Sequence, residues 1–265
     1  MQEISRKAAQ QADRELKVIG DKRALDSTAA LLEAAASFKS IFDGKTLSGW
    51  RGLTNYWSVR DGFITGFVPQ DGPKSTNLYL ILNDAPVGDF ELRGQFRFRV
   101  LRNNYTANSG LVYRGATNNS GVVFRSYQFE IALDTNKVGA LYVAGNKRGF
   151  YMLQGSGLEI TADAAQSDLV DTNAVGAEVL AGRASFKREE WNDFSVLANG
   201  RRMEHRLNGH EMLSVTDNNP SKSLKGGSIA LELFTGPRPG ALIQFRELKL
   251  RKIEPASAGP SSPKR

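Results

Sequence analysis

The chain has 265 residues, 28 Asp and Glu against 35 Lys and Arg for a formal charge of +7, and no cysteine. The missing cysteines exclude disulfides, thiolate metal sites and cysteine nucleophiles and leave the redox compartment open. A hydrophobic share of 40% with 24% charged residues excludes a mostly disordered chain and suits one large domain with a sizeable core.

Residues 1–36 carry six basic and six acidic side chains, with Ile4, Ala8, Ala12, Leu16 and Ile19 and then Leu25, Ala29, Leu32 and Ala36 at helical spacing. The spacing predicts a short helical N-terminal extension, with Gly20 between two helices, and this is the segment through which a homo-oligomer would form. Its first residues lead into charge rather than into the apolar centre of an export signal, and no apolar run reaches the length of a membrane span. The compartment is therefore not assigned.

From Phe38 the texture changes to short β-type runs punctuated by turn pairs such as Asp61-Gly62, Asn199-Gly200 and Asn208-Gly209. Strands are predicted at 56–60, 63–67, 78–82, 89–100, 109–114, 122–134, 139–143, 192–199, 202–208, 211–215, 227–234 and 241–253. Many short antiparallel strands without intervening helices predict an all-β sandwich or jelly roll over residues 37–253. Residues 154–190 alternate poorly and are expected to form a long loop or lid. Residues 254–265 have the Ser/Pro/Gly composition of a flexible tail.

Arg93, Arg97 and Arg99 are interleaved with Phe96 and Phe98 at strand spacing, as on a solvated outer sheet face. No helix-turn-helix, RNP-like or zinc-finger pattern accompanies the positive charge, so no nucleic-acid partner is expected.

The most site-like stretch is Ser126-Tyr127-Gln128-Phe129-Glu130-Ile131-Ala132-Leu133-Asp134. In a strand, Tyr127, Phe129, Ile131 and Leu133 face one way, and Gln128, Glu130, Ala132 and Asp134 line the other. An amide and two acids on one face suit a sugar-sized ligand.

Phe38-Lys39-Ser40-Ile41-Phe42-Asp43-Gly44-Lys45-Thr46-Leu47-Ser48-Gly49-Trp50 resembles the opening motif of the 3-keto-disaccharide hydrolase family, a concanavalin-like jelly roll. Later landmarks follow in the family's order: Trp57-Ser58-Val59-Arg60-Asp61-Gly62, Gly88-Asp89-Phe90-Glu91-Leu92, Asn108-Ser109-Gly110-Leu111, Gly139-Ala140-Leu141-Tyr142, Trp191-Asn192, His205-Arg206-Leu207-Asn208-Gly209 and Gln244-Phe245-Arg246-Glu247-Leu248. The resemblance covers about residues 37 to 253, and the ordered succession carries it. The central strand of many members reads Tyr-Glu-x-Gln, whereas here amide and acid are exchanged in Tyr127-Gln128-Phe129-Glu130.

The resemblance implies an enzyme that cleaves glycosides whose ring has already been oxidised at C3. The ketone acidifies the hydrogen on C2, a base removes it, an electrophile holds the enolate oxygen, the C1 substituent leaves by β-elimination, and water adds back. The alternative is a non-catalytic, lectin-like carbohydrate-binding module, since this architecture serves both. Either way the expected partner is a carbohydrate.

Several residues are candidates for that chemistry. Glu130 and Asp134 lie about 13 Å apart along a strand, so at most one of them handles the proton. Glu130, mid-strand, is the better choice, and Asp134 borders a turn. Glu232, in Ser228-Ile229-Ala230-Leu231-Glu232-Leu233-Phe234, falls on the polar side of its own strand, where it either joins Glu130 across neighbouring strands as a catalytic candidate or lines a solvated sheet face. His205 is the remaining catalytic candidate, with a structural role in an apolar strand as its alternative. Gln128, Arg114, Arg148, Asn108, Tyr105 and Asp134 are candidate substrate contacts, the arginines as hydrogen-bonding forks for sugar oxygens or the enolate. Trp57 and Trp191 are read as core. With two histidines in the chain, a three-histidine metal site is excluded. No cofactor is required by the sequence, and the resemblance leaves room for a divalent cation whose ligands it does not name. Asp168, Asp171 and Asn173 lack the spacing of a calcium loop.

Overall fold

A computed structural model of the protein describes residues 37–83, 86–100, 108–118, 122–145, 151–161, 175–236 and 240–254. The chain divides into a short unit, Met1–Lys39, and a large one, Ser40–Arg265. The expected N-terminal helices and nearly all of the expected tail lie outside the described residues. A two-residue strand, β1 (Lys39–Ser40), stands at the division.

The large unit is a β-sandwich. Its strands are β2 (Trp50–Gly52), β3 (Trp57–Arg60), β4 (Phe63–Val68), β5 (Asn77–Leu82), β6 (Phe90–Val100), β7 (Asn108–Thr117), β8 (Val123–Ile131), β9 (Leu141–Ala144), β10 (Tyr151–Leu153), β11 (Gly155–Ile160), β12 (Asn192–Asn199), β13 (Arg202–Leu207), β14 (His210–Asp217), β15 (Ser228–Phe234) and β16 (Ala241–Lys252). One sheet runs β11-β14-β13-β12-β6-β16-β4-β3 and the other β10-β9-β8-β7-β15-β5-β2. Pairing along these two orders is antiparallel except where the edge strand β11 joins β14 in parallel. Non-consecutive neighbours, such as β6 between β12 and β16, give the crossing connections of a jelly roll.

Period-two alternation builds both sheets. Phe90, Leu92, Phe96 and Phe98 of β6 are buried while Arg93 and Arg99 are exposed, and Phe194, Val196 and Ala198 repeat the pattern on β12. The facing rows interlock through aromatic rings. Phe129 of β8 meets Phe96 at 6.3 Å and Phe194 at 6.0 Å between centroids, and Tyr113 of β7 meets Phe90 edge-on at 5.9 Å. Two hairpins are set by their turn pairs: Asp61-Gly62 and Asn208-Gly209 hold φ of 52° and 80°, and of 49° and 87°. Both central residues are left-handed, as a two-residue hairpin of this twist demands.

The twelve runs read from the sequence fall on strands within one to three residues at their ends. The loop expected at 154–190 is corrected by β11 and by a helix, α1 (Ala177–Ser185), that buries Val179 and Gly182. A Cβ at Gly182 would stand 2.2 Å from Met212 Sδ, so the glycine lets the helix sit directly on β14. Nine residues are too few for a clear helical period, and β11 reads Gly-Ser-Gly where a strand signal would need side chains. Trp57 is core, 1% exposed. Trp191 is not: it is half-buried on the outer face of the larger sheet.

Candidate functional site

The smaller sheet has two faces of different character. Leu80, Leu111, Phe129 and Leu231 point into the sandwich core. Alternation turns the intervening residues outward, where Tyr79, Ile81, Val112, Val123 and Ala230 form a separate apolar cluster. Strand register places the acids in this outer layer. One row across the strands reads Tyr79, Glu232, Gly110, Glu130, and the next reads Ile81, Ala230, Val112, Gln128, Tyr142.

Gly110 makes the cluster. It separates Glu232 from Glu130 in their row, and its missing side chain leaves the slot into which Gln128 leans from the adjacent row. The Gln128 amide nitrogen donates to Glu130 Oε2 at 3.0 Å and to Glu232 Oε2 at 2.7 Å. Both amide hydrogens are thereby used, one on each acid. All three side chains are at most 5% exposed. Among the described residues Glu130 Oε1 is buried without a hydrogen-bond partner, a costly arrangement for a carboxyl oxygen unless something else meets it.

Burial dominates the electrostatics. It pushes the Glu130 carboxyl up to about 8, with the Glu232 charge adding to the rise and Gln128 and Lys137 opposing it. Glu232 is pushed up to about 7, again by burial and against the pull of Gln128. Near neutral pH the pair thus holds protons that surface glutamates have lost. Burial and then the two carboxylates push the Tyr142 hydroxyl up to about 12. Burial and Glu232 also raise Tyr79. Asn77 Nδ2 donates to the Tyr79 hydroxyl at 3.0 Å, so the Tyr79 proton is directed to another acceptor. The site therefore combines a base poised near neutrality with neutral hydroxyl donors beside it.

A resident divalent cation does not fit the donor set of this cluster, because Gln128 presents nitrogen, not oxygen, to both carboxyls. Among the described residues no group of three or more His, Cys, Asp or Glu is arranged to hold a metal.

The expected residues separate into those the fold gathers and those it does not. Gln128, Glu130 and Glu232 converge. Asn108 sits one row beyond Gly110 on the same strand, opposite Phe234. Asp134 instead accepts the Asn136 N–H at 3.0 Å in the turn after β8 and is about half exposed, 45% for its side chain. His205 lies wholly buried between the sheets, bonded to the Tyr113 hydroxyl at 2.9 Å and the Gly139 carbonyl at 3.0 Å. Burial pushes its imidazole down to about 4, and the sheet itself separates it from the outward-facing acids. Arg114, expected to reach substrate, adopts φ 49° at the irregularity in β7. Its guanidinium is spent on Asp89 at 2.7 Å and the carbonyls of Gly88, Gly200 and Leu224. It closes one wall of a cavity of about 500 Å³ near Val87, Tyr127 and Asp217. Arg148, Tyr105, Asp168, Asp171 and Asn173 lie outside the described residues.

Tyr79 was not among the expected site residues. It sits in Asn77-Leu78-Tyr79-Leu80-Ile81-Leu82, an almost unbroken apolar run in which alternation cannot assign faces. Its neighbour across the sheet, Glu232, was the available signal.

No helix among the described residues is long and apolar enough to cross a membrane. Among solved structures the chain is similar to two candidate glycosyl hydrolases of Parabacteroides distasonis. One is 15% identical with a TM-score of 0.53, covering 84% of this chain and 96% of that one. The other is 18% identical with a TM-score of 0.51, covering 82% and 99%. Both establish a shared fold. The carbohydrate-binding module CBM66 of Bacillus subtilis is 11% identical at a TM-score of 0.47, with 77% and 96% covered. No curated protein matches the chain's sequence. The family model described as a 3-keto-alpha-glucoside-1,2-lyase-like domain matches residues 37–251, nearly the whole described sandwich, and the chain belongs to that family.

Proposed function

We propose that the protein cleaves 3-keto-glycosides by β-elimination and rehydration, with Glu130 as the proton-transfer group. The observation that carries this reading is the buried, unpartnered Oε1 of Glu130 in a carboxyl pair held near neutral pKa. As carboxylate, Glu130 takes the C2 hydrogen as a proton. The C2–H electron pair moves onto the C3 ketone as an enolate, whose oxygen Tyr79 or Tyr142 meets with a hydroxyl hydrogen bond. Return of that pair forms the C1–C2 double bond and expels the glycosidic oxygen with its substituent, which leaves as an alcohol on taking the proton from Glu130 and so restores the carboxylate. Water then adds across the double bond, its hydroxyl going to C1 and its proton to C2. Glu232 and Gln128 act on Glu130: one sets its charge and the other its orientation.

The mechanism differs from that of a two-carboxylate glycosidase, which separates its acids across an oxocarbenium ion. Here both acids share one amide and lie on one side of any ligand.

The test is release of 3-ketoglucose from 3-keto-trehalose and 3-keto-glucosides by the wild type and by Glu130→Gln. Turnover by the wild type that falls by about 10²-fold or more in the folded variant supports the reading. A folded wild type that turns over no keto-sugar but binds unmodified sugars would replace it with a lectin-like module.

A further inference from the structure

The outer face of the larger sheet treats its arginines in two ways. Towards one end they are neutralised: Arg251 and Arg93 both meet Glu91 at 2.5 Å, Arg202 meets Glu204 at 2.7 Å, and Arg206 meets Glu211 at 3.4 Å. Around Trp191, Arg99 lies 4.0 Å from Glu189, but Arg97 and Arg246 have no carboxylate partner among the described residues. Strand register sets Arg97 opposite Gln244 and Arg246 opposite Gln95, a checkerboard of two arginines and two amides. Arg97 donates through Nε and Nη2 to Gln244 Oε1, at 3.1 and 2.5 Å. Arg246 donates through Nε to Gln95 Oε1 at 2.6 Å. Each glutamine is itself oriented, Gln95 by donating to Asp193 Oδ1 at 2.8 Å and Gln244 by donating to Thr65 Oγ1 at 3.3 Å.

Trp191 packs over both guanidiniums, 4.8 Å from Arg97 and 4.1 Å from Arg246, with Phe63 edge-on to the indole at 5.0 Å. Two cations are thus fixed side by side without a carboxylate partner among the described residues. Glutamates at positions 95 and 244 would have neutralised them with the same reach. Amides hold the forks in place and leave the charge, with the remaining N–H groups of each guanidinium unused among the described residues. Such an arrangement is complementary to an oxyanion.

We propose that this Arg97–Trp191–Arg246 surface docks an anionic glycan, its carboxylate or sulfate groups taken by the two guanidinium forks and a sugar ring lying against the half-buried indole. The choice of a glycan among polyanions rests on the family to which the chain belongs and does not depend on turnover at Glu130. A single indole between two forks spans a sugar or two, whereas single-stranded nucleic acid calls for a row of aromatic platforms along a basic groove.

The test is isothermal titration at 0.15 M salt with a sulfated oligosaccharide (a heparin fragment), a polyuronate fragment and a DNA duplex of matched charge. The variants are Arg97→Gln/Arg246→Gln and, as a control losing the same charge at carboxylate-paired arginines, Arg202→Gln/Arg206→Gln. The expected result is binding of at least one anionic glycan, weakened about tenfold or more in the first variant and less than about twofold in the control. The heparin and polyuronate arms tell sulfate from carboxylate. Glu130→Gln should bind as the wild type does, which separates this surface from the proposed active site. No glycan binding at millimolar concentration, equal losses in both double variants, or DNA binding as tight as glycan binding would each overturn the proposal. Should the first variant fail to fold, Arg97→Lys and Arg246→Lys keep the charge and lose the fork. Each should weaken binding, and wild-type affinity in both would overturn the assignment.

Discussion

Gly110 stands where any side chain would collide with Gln128: a Cβ there would lie 2.3 Å from the Gln128 amide carbon and 2.4 Å from its nitrogen. The glycine is the reason an amide can reach two glutamates on neighbouring strands at once. Gly110→Ala is therefore expected to displace Gln128, unpair both acids and cost about 1–3 kcal/mol of stability. Turnover should fall in protein that remains folded, as a melting curve run beside the keto-glycoside assay would show. Normal activity in Gly110→Ala would mean that the amide bridge is not needed.

Glu130 and Glu232 should make the protein less stable as pH rises. Their folded values of about 8 and about 7 lie above the ordinary 4.5. Between pH 4.5 and 8 the folded state thus binds more protons than the unfolded state, and stability falls with increasing pH across that window. The double variant Glu130→Gln/Glu232→Gln is expected to flatten this slope. The check is the midpoint of urea unfolding from pH 5 to pH 8 for both proteins.

The same titration should appear in turnover. If Glu130 acts as the base, kcat/KM on a 3-keto-glucoside rises as the carboxyl deprotonates, with its midpoint in the range of about 7 to about 8 that the buried pair occupies. A profile flat from pH 6 to pH 9 would count against it.

His205 acts on stability with the opposite sign. Its folded value of about 4 lies below the ordinary 6.5, so the stability it contributes is complete above pH 6.5 and lost as pH falls towards 4. His205→Gln keeps a polar group near Tyr113 and is expected to weaken this acid dependence while leaving the pH dependence of turnover in place. A changed pH–rate midpoint in that variant would bring the histidine back into the chemistry.

Arg114 is expected to be indispensable for folding rather than for substrate. Arg114→Met takes the guanidinium from the carbonyls of Gly88, Gly200 and Leu224 and leaves Asp89 with the Gly200 N–H but no cation, and should cost about 3–5 kcal/mol. Arg114→Lys should recover little of this, because one ammonium cannot reproduce the guanidinium's four contacts. Urea midpoints of the two variants decide it. Wild-type stability with a raised KM would restore Arg114 as a substrate contact.

Period-two hydrophobicity and turn pairs in the sequence alone determined the twelve principal strands, the all-β class and the polar face of β8, because those features follow from local alternation and local φ. The order of motifs along residues 37–253 likewise carried the family. What the tertiary structure decided depends on partners far apart in the chain. Strand register brought Glu232 to within one amide of Glu130, 102 positions away in the chain. The irregularity in β7 swung Arg114 away from that face, and no alternation rule foresees a residue at positive φ. His205 looks the same in sequence whether it faces a substrate or Tyr113. Tyr79 was hidden in a run apolar on both faces, and Trp191 read as core until β6 and β16 placed two arginines under it. Local pattern assigns a side chain to a face. Only the packing of strands distant in sequence decides what that face meets.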